Sequence, residues 1–182
     1  MVRNTDDNSG NDGMEHSFVF AVKGEDNVTP EASEMLVDSG ASKHITYDES
    51  KFTSFDKNFI PHKHTIELAD GTQINSMATG KGTAVFYLRD DDGNLRKSYL
   101  RETLLIPSFP HEIFSVRAAA RNHSSIHLYR DYGFLMSSND TYFPIETIGD
   151  LYYLNDPKTD QRTPKRNLSC VSVTYPNTDF IC

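Results

Sequence analysis

The chain has 182 residues, a length that suits one domain with polar ends. Its formal net charge is −8, so a phosphate backbone is repelled and nucleic acid is not an expected direct partner. No apolar run approaches the ~20 residues that span a bilayer, and no charged-then-apolar leader opens the sequence, so neither a membrane span nor a secretory signal is expected.

Residues 1–16 are rich in Asn, Asp, Ser and Gly and read as a disordered segment. Residues 17–22, Ser-Phe-Val-Phe-Ala-Val, form the first expected strand. After a polar connection containing Gly24 and Pro30, Glu34-Met35-Leu36-Val37 reads as a second strand. It runs directly into Asp38-Ser39-Gly40-Ala41. Asp and Ser bond their own backbone and Gly permits a tight bend, so this is a turn. A buried strand that ends there delivers a carboxylate to a closely wrapped backbone.

Phe52, Phe55 and Phe59 are spaced for a short helical or irregular packed segment. Two alternating runs, residues 64–68 and 73–77, flank Ala69-Asp70-Gly71-Thr72, and Asp-Gly between such runs is a strong hairpin signal. Residues 82–88 continue as a strand, Asp90-Asp91-Asp92-Gly93-Asn94 turn the chain, and residues 99–106 return with Leu100, Leu104 and Ile106 on one face. Pro107 and Pro110 end that strand. Residues 111–121, with Ala118-Ala119-Ala120, predict the one helix, burying Ile113, Val116 and Ala120. Short strands are expected at residues 125–129, 133–136, 142–145 and 151–154, and a flexible tail from Asn155 onward. Both cysteines, Cys170 and Cys182, fall in that tail without Cys-x-x-Cys spacing, which points to reduced surroundings rather than a stapled core. Many short strands with one helix predict an all-β closed barrel or sandwich.

The order Leu-Val-Asp-Ser-Gly-Ala-Ser-Lys-His-Ile-Thr, then Leu104-Leu105-Ile106-Pro107, then Ile113-Phe114-Ser115-Val116, resembles the protease segment of a Copia-type LTR retrotransposon Gag-Pol polyprotein. That family is retropepsin-like, and the likeness covers roughly residues 17–154. The family's usual Asn-Leu-Leu-Ser-Val is replaced here by His111-Glu112-Ile113-Phe114-Ser115-Val116. The resemblance implies a retropepsin-like monomer that forms a two-fold symmetric homodimer. Asp38 would be the catalytic aspartate, Ser39 the hydroxyl locking the two half-sites, and Gly40 and Ala41 the channel lining. Leu68, Ala69, Asp70, Gly71 and Thr72 would form a flap over a polyprotein peptide substrate. The helix would pack beneath the turn. The implied organisation is a protease domain over residues 17–130, then a short β segment over residues 131–154 that resembles the start of a pre-integrase region, then the tail over residues 155–182.

The implied activity is aspartic endopeptidase cleavage of Gag-Pol, in the cytoplasm within virus-like particles, with no metal or other cofactor. One carboxyl activates water while its twin, still protonated, polarises the scissile carbonyl. Activity is therefore expected to peak on the acid side of neutrality. The alternative is a catalytically silent retropepsin-like module from a domesticated or decayed element, which binds or dimerises only. His44 reads as a packing or hydrogen-bonding residue near the dimer interface, His62 and His64 lack a third metal ligand, and Asp90-Asp91-Asp92-Gly93 lacks a calcium loop's acidic twelfth position. Ser39, Ser42 and His44 lack the Gly-x-Ser-x-Gly elbow of a serine hydrolase.

Overall fold

The structure, a computed structural model, describes residues 15–19 and 34–155. The expected polar connection, the tail beyond Asn155 and both cysteines lie outside the described residues, as does nearly all of the expected N-terminal segment. Thirteen strands and one short helix are described.

A ten-stranded sheet runs in the order β10-β11-β12-β13-β2-β9-β3-β8-β7-β4. In chain order these are β2 (Glu34–Asp38), β3 (Ile45–Thr46), β4 (Phe52–Phe55), β7 (Gly80–Arg89), β8 (Leu95–Leu105), β9 (Glu112–Ser115), β10 (Ser125–Leu128), β11 (Gly133–Met136), β12 (Tyr142–Ile148) and β13 (Leu151–Asn155). The helix α1 (Val116–Arg121) follows β9. A separate three-stranded sheet contains β1 (Glu15–Val19), β5 (His64–Leu68) and β6 (Gln73–Asn75), with β1 parallel to β5.

The fold is thus mostly β-sheet with one short helix, but the expected closed barrel is not formed among the described residues. The sheet ends, β10 and β4, pair with β11 and β7 only. Instead the sheet curls on itself. The turn after β7 reaches β12, where the Asp91 N–H donates to the Tyr142 carbonyl at 3.0 Å. The curl encloses Met35, Val37, Phe86, Leu88, Phe114, Leu135 and Ile145 in one core cluster. A second cluster, with Leu36, Ile45, Ile66, Leu104, Ile106 and Ile113, lies where the three-stranded sheet packs on the larger one. Neighbouring residues of β2 alternate between these clusters, so the strand is apolar throughout. The strands after α1 belong to the same sheet: β13 pairs antiparallel with β2, Tyr153 opposite Leu36.

Two sequence expectations fail for identifiable reasons. The helix does not begin at residue 111. Glu112-Ile113-Phe114-Ser115 is a strand buried along its whole length, parallel to β2 on one side and antiparallel to β3 on the other. Ile113 and Phe114 are β-branched and aromatic, and sheet neighbours on both edges outweigh the helix preference of the alanines that follow. Leu100, Leu104 and Ile106 do not share a face. Between Leu100 and Thr103, β8 carries one more residue than β7 does between Ala84 and Gly82. Glu102, inside that bulge, takes a left-handed φ of 58°. The bulge reverses the strand's phase, so Leu100 packs on the first core and Leu104 and Ile106 in the second.

Candidate active site

Asp38 is the last residue of β2 and stands opposite Ser115, the last residue of β9. β9 lies between β2 and β3, so the chain leaves one side of β9 at Asp38 and returns on the other at Ile45. The turn has to wrap over the end of β9. The Gly40 N–H donates to the Asp38 carboxylate Oδ1 at 2.7 Å, and Asp38 is 8% exposed. A backbone donor close to one oxygen fixes the carboxyl's orientation. Ser39 is exposed at the apex, Gly40 is half-buried, and Ala41 is buried in the second core cluster as an anchor for the turn.

Ser115 braces the turn from below. Its hydroxyl donates to the Ala41 carbonyl at 2.6 Å and accepts from the Ala118 N–H at 3.0 Å, so one oxygen holds the turn and caps α1. Its backbone N–H donates to His44 Nδ1 at 3.1 Å. His44 is fully buried with its ring 5.0 Å from that of Phe114. Burial, with a smaller contribution from Lys43, pushes His44 down to about 3. It is therefore a neutral packing and hydrogen-bonding residue. A buried ion pair sits at the other end of β9. Lys51 Nζ donates to Glu112 Oε2 at 2.6 Å, Thr46 Oγ1 donates to Oε1 at 2.5 Å, and the Lys51 ammonium lies 4.3 Å from the Phe86 ring centre.

The hairpin forms as the sequence predicts. Leu68 and Thr72 close its tip, with the Leu68 N–H donating to the Thr72 carbonyl at 2.9 Å, and Gly71 adopts a φ of 81°. Ala69, Asp70, Gly71 and Thr72 are exposed. The Thr72 N–H holds the Asp70 carboxyl below the usual carboxylate range. Its base packs through Ile66 and Leu68 on the cluster that contains Leu36. By strand alternation Asp38 shares the Leu36 face of β2. The hairpin's base and the carboxyl are thus on one side of the sheet.

Other sequence candidates are accounted for locally. His64 is buried and 3.1 Å from the Ser17 hydroxyl, whereas His62 is exposed. Asp90 accepts from the Asn94 N–H at 2.6 Å and from Arg96 Nε at 2.6 Å, which closes its turn. The brace formed by Ser115 and the Lys51–Glu112 pair is invisible as a motif. Its one sequence signal is polar residues embedded in otherwise apolar strands, a pattern that burial must satisfy by hydrogen bonding.

Fold and site together define a β-sheet domain that presents an Asp-Ser-Gly turn at the end of a buried strand. Residues 35–124 match a family model described as "Pol polyprotein, beta-barrel domain", which indicates a retroelement Pol-derived region. The matched span takes in the Asp38 turn, the hairpin, β9 and α1 and stops before β10. Comparisons with curated proteins and with solved structures found no match.

Proposed function

We propose that this chain is an aspartic endopeptidase of the Copia type, acting as a homodimer on sites within its own Gag-Pol polyprotein. The observation that carries this reading is the Asp38 turn itself. A carboxyl is oriented by Gly40, its turn is braced by Ser115, and the adjoining Ser39 is exposed at the apex. A half-site with one aspartate requires a twin, and a two-fold axis through exposed apices brings two Asp38 side chains together. Two carboxyls about 3 Å apart share one proton. The ionised member removes a proton from water as the oxygen attacks the peptide carbonyl. The protonated member gives its hydrogen to the carbonyl oxygen. Collapse of the tetrahedral diol then breaks the C–N bond: the proton held by the first aspartate passes to the leaving amine, and a diol O–H returns its proton to the second aspartate, which restores the shared-proton pair. The hairpin at residues 68–72, on the carboxyl's side of the sheet, would close over an extended peptide.

The test uses the purified chain with its flanking polyprotein as substrate, with and without an aspartic protease inhibitor, beside Asp38→Asn. Asp38→Asn removes the titrating oxygen with little change in shape. Cleavage by wild type alone, lost with the inhibitor, supports the reading. Equal cleavage by both proteins would falsify it. A wild-type dimer that sediments as such yet cleaves nothing would favour the silent dimerisation module instead.

A further inference from the structure

A groove of about 810 Å3 opens beside β8, away from the Asp38 side chain. Its walls come from β8, the C-terminal end of α1 and the connection between β11 and β12. Arg96, Lys97, Arg101 and Arg121 line it, all exposed, and no Asp or Glu is among its lining residues. Asp and Glu outnumber Lys and Arg by 26 to 18 in the whole chain, so this grouping is a segregation of charge against the average. Among the described residues no carboxylate pairs with Lys97, Arg101 or Arg121. Arg96 engages Asp90 through Nε.

The strand supplies a second, independent observation. β8 meets β3 only at Leu104 and Leu105, whereas β7 accompanies it from Leu95 onward. Over residues 95–101 one edge of β8 has no strand beside it among the described residues. Lys97, Tyr99 and Arg101 alternate with Arg96, Ser98 and Leu100 along β8, yet both sets line the groove. That happens when a groove follows a strand's edge rather than one of its faces. An open edge presents backbone donors and acceptors in the spacing of another strand.

We infer that this groove binds an extended acidic peptide, which adds to the free edge of β8 and places its carboxylates against Lys97, Arg101 and Arg121. Strand addition supplies affinity through the backbone and the cations supply the preference for acid side chains. A nucleic acid strand would use the charges but has no complement for the strand edge, and the chain's overall negative charge opposes it.

The test is fluorescence anisotropy with a short labelled peptide alternating Glu and Val, titrated with the full chain. Saturable binding is expected. It should weaken about tenfold when the peptide's Glu residues become Gln, and again when alternate backbone amides are N-methylated. The double variant Arg101→Glu with Arg121→Glu should weaken it at least as much, with the far-ultraviolet circular dichroism unchanged. The peptide-side changes test the groove on the unaltered protein. Equal binding of Glu and Gln peptides, indifference to N-methylation, or tighter binding of a single-stranded RNA oligonucleotide overturns the inference.

Discussion

The Asp38-Ser39-Gly40 turn and the Asp70-Gly71 hairpin are both bends led by Asp and followed by Gly at the ends of strands, yet the molecule treats them oppositely. At Asp38 the strand before the bend has β9 on one edge and β13 on the other, and the turn is tied down by Ser115, Ala41 and His44. At Asp70 the bend is held by its own backbone and its tip is exposed. Under the proposed function, a carboxyl that meets its twin would need a fixed position, whereas a strand pair that closes over a peptide would need an end that is free to move. Similar local chemistry therefore gives a buried, braced bend in one place and an exposed, self-closed one in the other, and the difference lies in what surrounds it.

Four experiments break or sharpen that contrast. The largest effect is expected at Glu112, which anchors β9 beneath the turn. Glu112→Ala removes a buried carboxylate from the buried Lys51 ammonium and should destabilise the domain by about 3–5 kcal/mol in urea unfolding. A loss near zero would show that β9 does not hold the turn through this pair. Ser115→Ala removes the turn's tie and the α1 cap at once, at a cost of about 1–3 kcal/mol. If the brace positions the carboxyl, cleavage should fall more than the fraction folded does, and Ser115→Thr should restore part of it.

The third experiment varies pH. His44 titrates near its ordinary value of 6.5 in the unfolded chain and at about 3 in the folded one. Between those values the unfolded state binds more protons, so stability falls as the pH is lowered through that window and is undiminished above it. The slope has a ceiling of about 1.4 kcal/mol per pH unit. His44→Asn should flatten the acid limb of a stability-against-pH profile, and an unchanged limb would assign it to other groups. The smallest effect is expected at the hairpin tip. Gly71 has open space around its missing Cβ, so Gly71→Ala adds only left-handed strain, about 1 kcal/mol. Its signature would be altered cleavage rate with nearly unchanged global stability. A large stability loss instead would mean the hairpin is as tightly bound into the fold as the turn.

Much of this protein is legible locally. Apolar Met35-Leu36-Val37 specifies a buried strand, Asp38-Ser39-Gly40 a tight turn, and Asp70-Gly71 a hairpin, because those preferences arise from each residue's own backbone and side chain. The strands at residues 125–128, 133–136 and 151–155 follow from their short runs between turn residues in the same way. What the sequence leaves open is every choice made by partners distant along the chain. Ile113 and Phe114 became strand because β2 and β3 flank them, and the phase of β8 reversed because one extra residue bulges at Glu102. Among the described residues the sheet curls without closing, since its end strands β10 and β4 do not pair, and the brace under Asp38 exists only because Ser115 and His44, 71 residues apart, meet there. Local preferences are set over a few residues, whereas strand order and buried polar contacts are set by which surfaces can exclude water together, and only the assembled sheet decides that.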